Sequence, residues 1–453
     1  MKQVLKPRKG YKLKKWYFGK NIEIPEDWEI ISLQDMLLKQ NSGLHNKLAE
    51  TISGYKIVQM ADLYTYDIIG NEEFTLAKFP EEIKGRKVDK EKYFLKENDF
   101  IYIEISLVRE GVGKTVLVSK KAKETYFAGN LRRFTIKDSL NHKFLFYHLN
   151  SEWSRNYMIG HSYTAAQTGI TIKDYFKIKI LTPKKVKEQE KISSIISNID
   201  ELITSTQKII IQINSLKQGL MQKLLTVGIN HKKFKKIPWL FQKDIDIPND
   251  WEVKKINDVF DFLISGTNAR SDLNETSEIR YIHYGDIHTK WNLSLDCNLE
   301  VIPRIDIEKV KNLPLLKEGD LIIADASEDL AGSGSSILLK NVKNKKIVAG
   351  LHTIVLRIKD EEISPDFIKY LTSINSVKIQ IISYVTGSKV YGLGKTPCKY
   401  IRVPFPKLPE QQKIAGILSN LDEQIITQTK YQENLKKVKK SLIQKLLTGE
   451  VRV

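Results

Sequence analysis

One segment of this chain is present twice. Residues 186–226 (VKEQEKISSIISNIDELITSTQ…LKQGLMQKLLT) align without a gap to residues 408–448 (LPEQQKIAGILSNLDEQIITQT…VKKSLIQKLLT), with about 18 of 41 pairs identical. A second match lies upstream of each. Ile24-Pro25-Glu26-Asp27-Trp28-Glu29 returns as Ile247-Pro248-Asn249-Asp250-Trp251-Glu252, and Trp16, Phe18 and Lys20 return as Trp239, Phe241 and Lys243. Between these anchors only a skeleton persists: Lys96-Glu97-Asn98-Asp99-Phe100-Ile101 against Lys317-Glu318-Gly319-Asp320-Leu321-Ile322, and Ala128-Gly129 against Ala349-Gly350. The chain is therefore two copies of one unit, each a variable domain followed by a similar long segment. Two copies are too few for a solenoid, so a pseudo-two-fold arrangement is expected.

The repeated segment has helical periodicity. Ile192, Ile195, Ile199, Leu202, Ile209, Ile213, Leu216 and Leu220 recur every three or four residues, as do Ile414, Ile417, Leu421, Tyr431, Leu435, Val438 and Leu442. Such spacing predicts a helix of about 60 Å with one apolar seam. An unpaired seam would leave each large side chain short of roughly 1.5–3 kcal/mol of burial, so antiparallel pairing of the two helices is expected. Thr206 and Gln428, at equivalent positions in the seam, are candidates for a polar layer that fixes register. The alternative is two helices packed separately on their own domains. The fold class expected is α+β: two mixed α/β domains separated by two long antiparallel coiled-coil helices. The boundaries are a basic segment at 1–23, a first domain at 24–183, a helix at 184–230, a linker at 231–246, a second domain at 247–406 and a helix at 407–453.

Charge suggests the partner. Lys and Arg total 73 against 54 Asp and Glu, a net 73 − 54 = +19, which argues for a polyanion such as nucleic acid. Runs such as Lys232, Lys233, Lys235 and Lys236, and Lys436, Lys437, Lys439 and Lys440, fit contacts to phosphate or to an acidic partner surface; a solvated basic face is the alternative. Two cysteines exclude a disulfide framework and a four-cysteine zinc site. No apolar run approaches a membrane span and no signal-peptide core follows the N-terminus, so a cytoplasmic protein without membrane association is expected.

With the repeat, the Glu188-Gln189-Glu190-Lys191-Ile192 and Glu410-Gln411-Gln412-Lys413-Ile414 openings, the Leu446-Leu447-Thr448-Gly449 ending and the Ile-Pro-Xaa-Asp-Trp-Glu signatures, the chain resembles the specificity subunit of type I restriction-modification systems over essentially its whole length. The resemblance implies two target recognition domains, each reading one half of a bipartite site in double-stranded DNA. It implies that the conserved helices dock two adenine methyltransferase (modification) subunits, with restriction motor-nuclease subunits added for cleavage. In the first domain, Glu110-Gly111-Val112-Gly113 is dissimilar to Ala331-Gly332-Ser333-Gly334-Ser335 of the second, as two domains reading different half-sites would be.

Catalytic constellations are missing, and neither a cofactor nor a metal is expected. Gly113-Lys114-Thr115 and Gly394-Lys395-Thr396 end like phosphate loops, but Val108 and Lys389 stand where the first Gly belongs. There is no Asn/Asp-Pro-Pro-aromatic run, no dinucleotide fingerprint and no zinc-type histidine spacing. Phosphate contacts should supply affinity and a few base contacts sequence choice. Candidates in the first domain are Arg109, Lys114, Arg132, Arg133, Tyr163, Thr164 and Gln167, the last able to pair bidentately with adenine. In the second they are His283, Tyr284, Lys290, Ser333, Ser335, Ser388, Lys389 and Tyr391. Trp28 and Trp251 are expected as core anchors, and His352 as a core histidine. Two other functions compete: a coiled-coil protein that bridges DNA without sequence preference, which leaves the divergent duplicated domains unexplained, and a self-contained methyltransferase-nuclease, which lacks its motifs.

Overall fold

Phe100–Ile103 and Leu321–Ala324 are apolar at every position and fully buried, because both faces of each strand are covered. Phe100 and Tyr102 enter one core while Ile101 and Ile103 enter another, and Leu321 and Ile323 are likewise separated from Ile322 and Ala324. That is the two-residue alternation of a strand. Each is the central strand of a five-stranded sheet. In the first copy the order is Leu37–Ser42, Leu131–Ile136, Phe100–Ile103, Thr115–Val118, Ile68–Ile69. In the second it is Phe260–Leu263, Thr353–Ile358, Leu321–Ala324, Ser336–Lys340, Leu293–Asp296. Both end on a single parallel pair. Sequence similarity fades between the anchors, yet the topology is the same.

This computed structural model describes residues 7–17, 21–44, 50–70, 72, 74–83, 86–122, 124–240, 243–291 and 293–453. Phe18, Lys20 and Phe241 of the repeated signature lie outside the described residues. The chain divides into two units, residues 1–207 with 431–453, and residues 208–430. The first takes the start of the first long helix (Val186–Val227) and the end of the second (Leu408–Leu447); the other unit takes the remaining halves. Segment 231–246, expected as a linker, largely forms a hairpin, Phe234–Pro238 against Asp244–Pro248. Its counterpart in the basic N-terminal segment pairs Tyr11–Lys15 with Asn21–Pro25.

The anchors close each unit onto its helices. Trp28 and Trp251 are completely buried, as expected of core anchors. Their indole N–H groups donate to the first glutamates of the helix openings, Trp28 to Glu188 at 3.3 Å and Trp251 to Glu410 at 3.1 Å. The following glutamines bridge backbone groups: Gln189 accepts from the Asn141 N–H and donates to Pro183, and Gln411 accepts from the Ser364 N–H and donates to Pro406. A nitrogen-bearing side chain completes each anchor. Arg452 is bidentate on both Asp27 and Glu188. His231 takes that place in the second unit, 2.8 Å from Glu410 and 3.3 Å from Asp250.

Within each unit the helix halves run antiparallel. In the first, Asp200 meets Lys439 at 2.5 Å and Gln432 donates to Ile203 and to Gln207; in the second, Lys217 meets Asp422 at 2.5 Å. The seam differs in phase from the expected one. Ile192, Ile199, Ile213, Leu220, Ile414, Leu421, Leu435 and Leu442 do face inward, but the intervening inward positions are Ile196, Ile203, Ile210 and Lys217, and Leu418, Ile425, Gln432 and Lys439. Ile195 is only half-buried, and Leu202, Leu216, Ile417 and Val438 are exposed. The cause is legible: Ile195-Ile196, Leu202-Ile203 and Ile209-Ile210 offer two equally apolar phases, and the true one needs the aliphatic stem of a lysine. Thr206 and Gln428 do lie on the inward stripe, Thr206 buried with its hydroxyl donating to Leu202 of its own helix. Lys–Asp pairs cross between the helix halves in each unit. Among the described residues no helix is long and apolar enough to cross a membrane.

Candidate nucleic-acid interface

A small three-stranded sheet at the edge of each unit gathers two exposed segments. In the first unit Ile105–Ser106 pairs with Thr168–Gly169, which pairs with Tyr163–Thr164. In the second, Ala326–Ser327 pairs with Tyr391–Leu393, which pairs with Val385–Thr386. This places the loop after the first strand, residues 107–114 or 328–335, beside a hairpin tip, residues 165–167 or 387–390. Arg109, Tyr163, Thr164 and Gln167 are thereby brought together and exposed, as are Ser388 and Lys389, with Tyr391 half-buried beside them.

Other candidates are committed elsewhere. Arg133 is buried and donates to Asn41, Phe94 and Asp99, so it cannot reach a phosphate without breaking the sheet. Arg132 is bidentate on Glu104 at 3.0 Å and also donates to Gln40. Lys114 leans over its own fold, donating to Tyr64 and lying 3.5 Å from Asp67. Ser333 is buried, and the Ser335 hydroxyl donates to Gly332. These five hold the site's shape; sequence alone could not separate them from free donors. Lys217 and Lys439 are likewise withdrawn from the basic surface by Asp422 and Asp200, whereas Lys440 stays exposed beside Glu152.

Next to the second loop, His283 is buried at a helix start and accepts from the Gly285 N–H, with burial holding its ring below the ordinary histidine range. Tyr284 is half-buried against His352, and Lys290 pairs with the buried Asp286 at 2.9 Å. The helix Tyr284–Thr289 is fastened to the loop by His288, whose Nε2 donates to Ala326 at 2.8 Å. His352 is not a core residue: its side chain is half exposed, its φ is +56°, and its ring lies 3.0 Å from Asp325. Burial pushes the Asp325 carboxyl upward against the pull of that ring.

The two loops, dissimilar in sequence, are one loop in space. Gly113 and Gly334 both adopt a left-handed φ, +70° and +79°, at the same turn. A Cβ on either would meet the following helix, Met158 at 2.6 Å or Ile381 at 2.9 Å. What differs is the outward stretch, Leu107-Val108-Arg109-Glu110 in the first unit and Glu328-Asp329-Leu330-Ala331 in the second, all exposed. Reading the sequence alone misses Leu107, Val108, Glu328, Asp329 and Leu330. Aligning Ser106 with Ser327 and the two glycines would have found them.

Each copy of the α+β frame thus presents an exposed loop and a hairpin tip that differ in sequence between the copies. The family model for the type I restriction modification DNA specificity domain matches residues 25–215 and again 248–437, and the chain belongs to that family as a specificity subunit. Among curated relatives, the chain is 28% identical over 442 residues to a putative type I restriction enzyme MjaX specificity subunit of Methanocaldococcus jannaschii, and 27% identical over 448 residues to the MjaVIII specificity subunit of that organism. Both alignments cover 95% of each chain. The fold is similar to the crystal structure of the type I restriction-modification S subunit from M. genitalium, with a TM-score of 0.54 and 16% identity over 95% of this chain and 98% of that one. A chain solved for complex assembly and conformational transition of the type I R-M system has a TM-score of 0.54 at 14% identity, covering 94% and 99%.

Proposed function

We propose that each unit reads one half of a bipartite site in double-stranded DNA, through its exposed loop and hairpin tip. The observation that carries this is the contrast within the repeat: the contacts of Trp28 and Trp251, Glu188 and Glu410, and Gln189 and Gln411 recur, while the exposed loop positions differ in chemistry. Arg109 suits a guanine edge and Gln167 an adenine edge, whereas Glu328 suits the amino group of cytosine. Basic side chains around these edges supply the sequence-independent term.

The chain acts as a targeting subunit without chemistry of its own, in the cytoplasm, where its DNA lies. Two modification subunits and the restriction motor-nuclease subunits supply methylation and cleavage. Each unit's helix halves offer a docking face for a modification subunit: Leu202, Tyr431 and Val438 are exposed in the first, and Ile209, Leu216 and Ile417 in the second. A soluble helix leaves such residues open at a cost unless a partner covers them.

Exchange of residues 30–180 for those of a relative tests the reading, with methylation mapped on host DNA by single-molecule sequencing. One half of the motif changes and the other stays. A swap that alters both halves together overturns independent reading.

A further inference from the structure

Two basic residues outside the exposed loops stand at equivalent positions and make equivalent contacts. Arg155, on the helix Glu152–Gly160, donates through NH2 to the Glu110 carbonyl at 2.6 Å. Lys378, on the helix Asn375–Tyr384, donates to the carbonyls of Ala331 at 2.7 Å and Ser333 at 2.6 Å. Both are half-buried. Each acts one turn ahead of the side chain, Met158 or Ile381, that receives the left-handed glycine of the same loop. Each helix also leads directly into the hairpin that carries the other reading segment. We infer that Arg155 and Lys378 are positioning residues for base recognition: each ties its loop to its hairpin, so that the two segments meet the DNA as one rigid reader. This rests on the reading of the loops as the DNA-contacting segments.

The physical reason is that the glycine contact alone would leave the loop free to pivot on that helix. A carbonyl accepting from a charged donor is held roughly twice as strongly as by a neutral bond. Burial lowers both groups from their ordinary ranges, Arg155 to about 10, while Asp329 opposes the shift at Lys378. A cation turned inward onto carbonyls is also poorly placed to neutralise a phosphate. The two roles are therefore separable by experiment.

The test uses the full chain in its complex, with Lys378→Met, Lys378→Arg and Arg155→Met. A swap of residues 30–180 in the parent first assigns the half-sites. Failure of that swap would sink the half-site reading itself, and is distinguishable from failure of the positioning role. Methylation is then scored at sites carrying every single-base change. Lys378→Met should raise modification of sites mismatched in the second unit's half by about tenfold relative to the cognate site, leaving the first half as sharp as the parent; Arg155→Met should do the reverse. Lys378→Arg should restore discrimination. The salt dependence of binding should keep its slope, because no phosphate contact is lost. Equal relaxation of both halves, a slope reduced by about one, or unchanged discrimination would each overturn the inference. Should Lys378→Met not fold, Gly334→Ala perturbs the same loop from its other tie, and unchanged second-half discrimination there would overturn it equally.

Discussion

His148 should make the first unit acid-sensitive. It is fully buried, its Nε2 accepting the Leu181 N–H at 3.0 Å and its Nδ1 lying 3.3 Å from Ser154. Burial pushes the ring down to about 3. In the unfolded chain a histidine titrates near 6.5, so between these values the unfolded chain takes up a proton that the folded unit refuses. The stability is fully present above about pH 6.5 and drains as pH falls toward 3. At about 1.36 kcal/mol per pH unit, the loss reaches about 3 kcal/mol by pH 4.5, a large share of a domain's usual 5–15. The equivalent position in the second unit is Leu371, also fully buried, which carries no such penalty. His148→Gln keeps an acceptor for Leu181 but cannot take the proton. Urea unfolding at pH 7 should show the variant weaker than the parent by about 1 kcal/mol, and at pH 4.5 stronger by about 2. His142 and His283 are also lowered by burial, so the parent retains some slope from them. The decisive result is the crossing of the two curves. Parallel profiles would refute a buried neutral ring at this position.

Asp422 accepts from Lys217, Lys369 and Tyr370, and these bonds outweigh burial to hold its carboxyl below the ordinary range. Asp422→Ala should therefore cost about 3–5 kcal/mol in the second unit, measured by chemical unfolding, since two covered lysines lose their partner; a loss under about 1 kcal/mol would contradict the pairing. Both long helices are continuous through the repeat, so one heptad inserted after Thr206 together with one after Gln428 should keep the seam in phase and lengthen the spacer of the methylated motif without changing either half-site. An unchanged spacer in a protein that still methylates would contradict the helices' role in setting it.

Legibility in the sequence followed the physics of each level. The duplication, the paired helices and the core role of Trp28 and Trp251 were readable because periodicity and burial leave marks on residue type. The helix seam was readable to one phase too many, since Lys217 and Lys439 serve it with their methylene stems. Arg132, Arg133, Ser333 and Ser335 pass for readers in the sequence because a donor's type does not say whether its partner is Glu104, Phe94 or a nucleotide. The apolar residues around His352 suggest a core position, whereas its left-handed backbone turns it out toward Asp325. Conversely, Glu328 and Asp329 escape notice because a carboxylate near a Gly/Ser loop also reads as an ordinary turn.

The repeat separates what holds the fold from what can vary. Trp28 and Trp251, Glu188 and Glu410, Gln189 and Gln411, Tyr147 and Tyr370, and Asp200 and Asp422 make matching bonds in the two units. All lie in the core or on the helices, where a change would strand a buried partner at a cost of about 1–3 kcal/mol. The positions that differ in charge and shape, Arg109 against Leu330 or Gln167 against Lys389, are exposed and touch no core. Surface changes of that kind usually move stability by no more than about 0.5 kcal/mol. A new half-site can therefore be acquired without endangering the fold, provided that the cation behind the loop is kept. Even there the two copies solve the problem differently, with a guanidinium at Arg155 and an ammonium at Lys378, because a backbone carbonyl accepts from either donor.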